Sequence, residues 1–291
     1  MLYSNENECG GDVVINGAVY RMNELIHQGN DSRVFSAALW QGGRDSAFVN
    51  SRFVIKCYTC QRDSAVWRRA LREIEAGRML RKCPYIVRLR GYSVLSENGG
   101  EACRVFLLFD RLQCLGDMRL ADSRDVWTMG RDICFALEAL RKKGLVHGDV
   151  KPRNIYYDGG RWLLGDLGSV CVSGEVPEYG SEGYCSPEAM RGEPCDIRSD
   201  LYSLGITLYK LVSGGRLPFC PRPCVEMDDV EVCRSIRRRM NGEALPPVPG
   251  ADDSVNDLLL TLCRFERDKR FKRPCDVIKY IGKRLNRNSD G

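Results

Sequence analysis

A change in hydrophobic pattern near residues 110–117 constrains the fold of this chain more than any other feature of its sequence. Upstream of the change, segments rich in Val, Ile, Phe and Tyr alternate with turns of Gly, Asn and Asp, a pattern typical of β-strands. Strands are predicted in AVYRMNELIH, RVFSAALW, SRFVIKCY, IVRLRGYSVL and CRVFLLFDRL, and one helix in SAVWRRALREIEAGRMLRK, with Ser64 as its N-cap. Downstream, apolar residues recur at helical spacing, as in Val126, Met129, Ile133, Leu137 and Leu140.

Further helices are predicted in SDLYSLGITLYKLVSGG and near residues 254–264 and 274–285. The chain is therefore assigned to the α+β class, with a small β-rich N-lobe that carries one helix and a larger, mostly helical C-lobe. A length of 291 residues is enough for two lobes with a sizeable buried core.

The composition excludes several classes of protein. The net charge of +5 is mild, and nucleic-acid binders usually carry a stronger and more concentrated basic excess, so no nucleic-acid partner is expected. No apolar run approaches the ~18 residues that span a bilayer, and the polar, acidic first residues are unlike a signal peptide.

The 15 cysteines are scattered singly, which favours a reducing, cytoplasmic location. Cys57, Cys60, Cys220 and Cys224 could form a zinc site, but wide separation of the two pairs disfavours it.

The segment HGDVKPRN carries the densest set of chemically useful side chains. It follows Gly144, which ends a predicted helix, so it is expected to be a loop. A carboxylate such as Asp149 can orient a hydroxyl group and accept its proton. Lys151 can neutralise a phosphoryl oxygen, and the amide oxygen of Asn154 suits Mg²⁺.

Two further positions complete this set. Asp166 ends the next short strand, and the residues between Asp149 and Asp166 fit a β-hairpin that would return Asp166 to the same place. Lys56 lies in an apolar strand, where a lysine is costly unless it is paired, and Glu73 on the inward stripe of the predicted helix is the expected partner. The segment IHQGNDSRVF is predicted to be a loop with Gly29 at its tip.

In this order, the motifs resemble those of the eukaryotic-type (Hanks-type) protein kinases over residues 19–285. VIK at Lys56 resembles the strand motif V-A-I-K, and HGDVKPRN resembles the catalytic loop in its serine/threonine form, with Lys151 followed by Pro152. DLG from Asp166 resembles D-F-G, and SPE from Ser186 resembles A-P-E. The resemblance implies a bilobal kinase fold with an N-terminal extension (1–18), an N-lobe (about 19–112), a C-lobe (about 113–285) and a C-terminal tail (286–291).

The resemblance also implies the reaction and the roles of the residues: transfer of the γ-phosphoryl group of ATP, with Mg²⁺, to Ser or Thr hydroxyls of protein substrates. Asp149 and Lys151 would be catalytic, and Asn154 and Asp166 would bind Mg²⁺. The other residues expected to contact or support the nucleotide are His27, Gly29, Val34, Lys56, Glu73, Phe109, Asp110 and Leu112. By the same resemblance, Asp200 would bond back to the catalytic loop, and Arg270 would pair with Glu188.

The chain departs from the family pattern at two places. His27, Gly29 and Ser32 stand where the family has three glycines, so the loop is expected to be stiffer and nucleotide binding weaker than usual. Gly148 stands where the family has an Arg that clamps a phosphorylated activation loop, which makes the chain a non-RD variant. The activation loop has few hydroxyl acceptors, among them Ser169, Ser173, Tyr179 and Ser181. The resemblance implies that Ser181 contacts Asp149 and is structural. Activity is therefore expected not to require phosphorylation of that loop.

Two alternatives stay open at this stage: a pseudokinase or weakly active scaffold that works by binding partners, and a kinase-like phosphotransferase acting on a small molecule. The residues outside the resemblance leave no room for a regulatory domain, so regulatory protein partners are expected.

Overall fold

The computed structural model describes residues 11–42, 47–117, 123–178 and 180–287. The chain divides into two compact units. The first comprises Met1–Arg81 and Val87–Leu112, and the second comprises Lys82–Ile86 and Gln113–Gly291. Each unit has its own core. No helix of the described ranges combines the length and the apolar character needed to cross a bilayer.

The described part of the first unit is a six-stranded antiparallel sheet with one helix. Its strands follow the order β1-β2-β3-β4-β6-β5. They are β1 (Asp12–Ile15), β2 (Ala18–Gln28), β3 (Ser32–Gln41), β4 (Ala47–Gln61), β5 (Leu89–Glu97) and β6 (Ala102–Asp110). The helix α1 (Ala65–Met79) begins at Ser64, whose hydroxyl accepts the N–H of Trp67, as an N-cap does. The five predicted strands correspond to β2–β6, whereas β1 was not predicted.

Strand alternation places two apolar layers on opposite faces of this sheet. Ile55 belongs to a cluster on one face, and Tyr58 belongs to a cluster that includes Ile74 of α1 on the other. Because side chains alternate along a strand, Lys56 shares the face of Tyr58 and is directed toward α1. The strand period therefore explains why a lysine of β4 meets a helix.

Strand β1 also meets the far edge of the same sheet. The side-chain amide of Asn16, just after β1, donates to the carbonyl of Arg90 in β5 at 3.1 Å. Gly91 lies so close that an added Cβ would be 2.7 Å from Ile15. The two edge strands thus cover one another.

The connection between β2 and β3 is shorter than the sequence predicts. Gln28 pairs with Arg33, and the N–H of Gly29 donates to the carbonyl of Ser32 at 2.8 Å. Gly29 is therefore not at the tip of an open loop, as predicted, because the ladder continues past it. Only two residues, numbered 30 and 31, form the tip of a tight turn.

The second unit is mostly helical in its described part. Its helices are α2 (Ser123–Arg141), α3 (Pro187–Met190), α4 (Ile197–Val212), α5 (Asp229–Met240), α6 (Asp253–Leu262) and α7 (Pro274–Arg287). Short strands connect them: β7 (Gln113–Cys114), β8 (Leu145–Val146), β9 (Ile155–Tyr157), β10 (Trp162–Leu164) and β11 (Cys171–Val172). Helix α4 is almost entirely buried and lies in the core of this unit. The predicted helices correspond to α2, α4, α6 and α7; α5 was not predicted.

Candidate active site

The buried carboxylate of Asp200 in α4 holds the start of the loop that runs from His147 to Asn154. Oδ2 of Asp200 accepts the N–H of His147 at 2.7 Å, and Oδ1 accepts the N–H of Gly148 at 2.9 Å. Burial raises the pKa of Asp200 to about 6, although these donors act in the opposite direction. The bond that the resemblance implied between Asp200 and this loop is present.

His147 is fully buried and joins two parts of the site. Its Nδ1 accepts the backbone N–H of Asp149 at 3.2 Å, and its Nε2 lies 3.0 Å from the carbonyl of Gly165. Since Nδ1 accepts, the ring carries its proton on Nε2 and donates it to Gly165. The sequence suggested no role for this ring, which fixes the backbone before both Asp149 and Asp166.

Asp149 has one committed and one unpartnered carboxylate oxygen. Oδ2 accepts Nζ of Lys151 at 2.7 Å and Nδ2 of Asn154 at 3.1 Å, and the Asn154 amide also donates to the Asp149 carbonyl at 2.8 Å. Oδ1 is buried and has no hydrogen-bond partner among the described residues. A buried acceptor without a donor is costly, so a water molecule, an ion or a ligand is expected to meet this oxygen. Lys151 also donates to the hydroxyl of Ser181 at 2.8 Å, whereas the resemblance implied a contact of Ser181 with Asp149.

The predicted hairpin between Asp149 and Asp166 is present. Strands β9 and β10 pair in antiparallel register, and the N–H of Gly165 donates to the carbonyl of Asn154 at 2.9 Å. The backbone of Asp166 is left-handed, with φ of 56°. Such a conformation is uncommon for a residue other than Gly and tends to occur at functional sites.

The amide oxygen of Asn154 and the carboxylate of Asp166 are ligand types that suit Mg²⁺, and the two residues flank the hairpin of β9 and β10. The amide nitrogen of Asn154 is committed to Asp149, which leaves its oxygen as the atom that can meet a cation. Mg²⁺ is usually held by one or two carboxylates together with substrate phosphates and water, rather than by a complete protein cage. The described residues include no cluster of three or more His, Cys, Asp or Glu that could hold a metal ion by itself, so the zinc alternative finds no support there.

In the first unit, Lys56 is paired with Glu73, as expected for a buried lysine. Nζ of Lys56 lies 2.8 Å from Oε2 of Glu73, and the hydroxyl of Tyr58 donates to the same oxygen at 2.5 Å. Lys56 is 8% exposed and Glu73 is 3% exposed. Nζ also lies 5.1 Å from the centre of the Tyr58 ring. The lysine is therefore held rigidly with its charge balanced inside the protein.

The other residues predicted to contact the nucleotide also lie in the first unit. His27 and Val34 are direct cross-strand partners on β2 and β3, next to the tight turn that contains Gly29. Phe109 and Asp110 end β6, and Leu112 follows that strand. The carboxylate of Asp110 pairs with Arg90 at 2.7 Å.

The segment after Asp166 is anchored by a buried ion pair. Both carboxylate oxygens of Glu188 accept from Arg270, at 2.6 and 2.9 Å, and Ser199 donates to Glu188 at 2.7 Å. Burial by itself raises the pKa of Glu188, but the bonds from Arg270 outweigh burial and lower it to about 2. The Glu188–Arg270 contact implied by the resemblance is present.

The hydroxyl acceptors predicted in the activation loop differ in accessibility. Ser169 is 2% exposed, Ser173 is exposed, and Ser181 is bonded to Lys151. Tyr179 lies outside the described residues. Gly148 has φ of 79°, and an added Cβ would lie 2.8 Å from the carbonyl oxygen of Ser169. The backbone at Gly148 therefore has no room for a side chain.

Comparison with known proteins identifies relatives over most of the chain. Residues 20–279 match the family described as "Protein kinase domain". CBL-interacting protein kinase 4 of Oryza sativa subsp. japonica is 29% identical over 240 residues, which cover 76% of this chain and 48% of that protein. Serine/threonine-protein kinase 1 of Orgyia pseudotsugata multicapsid polyhedrosis virus is 33% identical over 167 residues, covering 56% of this chain and 58% of that protein. Serine/threonine-protein kinase PknB of Mycolicibacterium smegmatis is 39% identical over 93 residues, which cover 28% of this chain and 15% of that protein. The matches thus span less than two thirds of each relative.

Proposed function

Because this chain belongs to the protein kinase domain family, we propose that it transfers the γ-phosphoryl group of ATP, with Mg²⁺, to Ser or Thr hydroxyls of protein substrates. The observation that carries this proposal is the state of Asp149. One oxygen of its carboxylate is fixed by Lys151 and Asn154, and the other is buried with no donor in the described part of the chain. A substrate hydroxyl supplies the missing donor.

The reaction requires one proton acceptor and one cation close to the transferred group. Oδ1 of Asp149 accepts the proton of the substrate hydroxyl, while the hydroxyl oxygen forms a bond to phosphorus and the bond from phosphorus to the ADP oxygen breaks. Lys151 holds Asp149 in place, and its charge stabilises the negative charge of the transferring phosphoryl group. The carboxylate of Asp149 and the ammonium group of Lys151 already lie within hydrogen-bond distance of each other, so these two side chains need little reorganisation.

The remaining residues bind the nucleotide in this proposal. Asn154 and Asp166 hold Mg²⁺, which supplies neutralisation of phosphate charge when it is bound. Lys56, fixed by Glu73, contacts the α- and β-phosphates. The side chains of His27, Val34, Phe109, Asp110 and Leu112, together with the backbone of Gly29, line the nucleotide in the first unit. The serine/threonine preference is supported by the pair Lys151 and Pro152 and by the relatives' names.

A radiolabelled transfer assay with Mg-ATP on a peptide array tests this function directly. The wild type is expected to label Ser and Thr peptides, and Asp149→Asn, which keeps the shape but removes the proton acceptor, is expected to lose about 10²–10⁴-fold in rate. Equal labelling by the wild type and Asp149→Asn would refute catalysis by this carboxylate and favour the scaffold alternative. Labelling of small metabolites but of no peptide would favour the small-molecule alternative.

The basal activity is proposed to be independent of activation-loop phosphorylation. Gly148 offers no cation to a phosphate, and its backbone has no room for a side chain. Phosphatase treatment is expected to leave the labelling rate unchanged, and loss of most of the rate would contradict the proposal.

A further inference from the structure

The tight turn between β2 and β3 is tied to helix α1 by an ion pair. Asp31 lies at the tip of the turn, and its Oδ2 lies 2.9 Å from Nη1 of Arg69 in α1. Both side chains are largely shielded from water, with 25% and 18% of their surface exposed. Shielding matters, because fully exposed ion pairs are weakened by water and salt.

The same face of α1 holds the lysine of the candidate active site. Arg69 and Glu73 are four residues apart, so their side chains project from one face of the helix. Glu73 binds Lys56 at 2.8 Å, and Arg69 binds the turn. One rigid helix therefore makes polar contacts to both the turn and the lysine, and the position of one is linked to the position of the other.

The sequence of the turn makes such an anchor useful. His27 and Ser32 replace glycines of the family pattern, so the backbone can reach fewer conformations than a glycine-rich loop. A turn of this kind cannot fold freely over a ligand and binds phosphates well only if it is already correctly placed. An ion pair to α1 supplies that placement before a ligand arrives, which lowers the entropy lost on binding.

We infer that the Asp31–Arg69 ion pair is a positioning contact that anchors the β2–β3 turn to α1 and thereby places the turn relative to Lys56 for nucleotide phosphates. The anchoring stands on contacts within the first unit alone. Its effect on nucleotide binding rests on the proposed function. Neither Asp31 nor Arg69 is expected to touch the reacting atoms.

Hydrogen–deuterium exchange of the full chain without nucleotide tests the anchoring. Asp31→Asn and Arg69→Gln are each expected to speed exchange of the amides in residues 27–34 by about fivefold, the upper range for one partly exposed ion pair. The double variant should exchange no faster than Arg69→Gln alone, because Asp31→Asn removes a contact that Arg69→Gln has already removed. Asp31→Glu keeps the charge and should restore slow exchange. Glu97→Gln is the matched control, because it breaks a comparable ion pair to Arg104 (2.6 Å) on β5 and β6.

The anchoring is overturned if exchange in residues 27–34 is unchanged in Asp31→Asn and Arg69→Gln, if their effects add, or if Glu97→Gln has the same effect. Steady-state kinetics then test the coupling to the nucleotide. Asp31→Asn should raise KM for ATP about fivefold with kcat nearly unchanged, whereas a general loss of folding would lower kcat as well. Faster exchange without a rise in KM would overturn the coupling. Failure of the wild type to bind Mg-ATP in calorimetry would refute the proposed function, and the exchange result would still decide the anchoring.

Discussion

Restoring a side chain at Gly148 should destabilise the protein and should not create a phosphate clamp. The perturbation is Gly148→Ala, with Gly148→Arg as the variant that restores the residue of the family pattern. The left-handed backbone, with φ of 79°, costs a residue with a Cβ about 1–2 kcal/mol. The Cβ would also lie 2.8 Å from the carbonyl oxygen of Ser169, well inside van der Waals contact.

The backbone cannot turn away from this contact without further cost. The N–H of Gly148 donates to the buried carboxylate of Asp200 at 2.9 Å, and a hydrogen bond to a charged group contributes about 1.5–3 kcal/mol. If the clash is relieved by breaking that bond, the expected loss in the free energy of unfolding is about 2.5–5 kcal/mol in total.

Urea unfolding at 25 °C, followed by circular dichroism and tryptophan fluorescence, measures this loss. Gly144→Ala is the matched control, because Gly144 has φ of 69° but no atom within 4 Å of an added Cβ. It carries the backbone strain without the clash and should lose only about 1–2 kcal/mol. If Gly148→Ala lost no more stability than Gly144→Ala, the contact with Ser169 would not be the cause and the reasoning would be refuted. Gly148→Arg activity that depended on phosphorylation would refute it independently.

Three other predictions concern the ion pairs. Arg270→Met should lower the free energy of unfolding by about 3–5 kcal/mol, because it leaves the carboxylate of Glu188 buried without its cation. Lys269→Met, which breaks an exposed ion pair, is the control and should have no measurable effect in the same urea titration. Since the pKa of Glu188 falls from its ordinary 4.5 to about 2 on folding, its contribution of about 3 kcal/mol is complete above pH 4.5 and is lost as the pH falls toward 2. Between pH 6 and pH 3, urea midpoints should show about 2 kcal/mol of this loss in the wild type, and that part should be absent in Glu188→Gln. Lys56→Met should lower kcat/KM for ATP at least about a hundredfold in the radiolabelled assay, and a loss of under tenfold would contradict its role.

Patterns within one element were readable from the sequence. Alternation in strands and the 3.6-residue period of helices predicted β2–β6, α1, α2, α4, α6 and α7. Pairing of Lys56 with Glu73 was also predictable, because a buried lysine requires a partner and the strand period directs it toward α1. Asp200 and the Glu188–Arg270 pair were reached only through the family resemblance.

Features that depend on weak local signals or on tertiary geometry were missed. Strand β1 has only four residues, too few for a clear alternation. Helix α5 is rich in arginine and was not predicted, although Asp228 and Glu231 form a capping box that marks a helix start. The contact between Asp31 and Arg69 joins a turn to a helix 38 residues away, and no local pattern encodes such a distance. The partnerless oxygen of Asp149 likewise became apparent only when its neighbours were placed.

Strand β1 has a consequence for where this domain begins. An exposed sheet edge presents unpaired N–H and C=O groups that can pair with another chain. In this protein β1 covers the edge of β2, and Asn16 reaches across to β5 on the opposite edge. The family match starts at residue 20, after β1 has ended. We expect a protein truncated at that boundary to pair more readily with other chains than one that retains β1, because the edge of β2 would be unpaired and the contact of Asn16 with β5 would be lost.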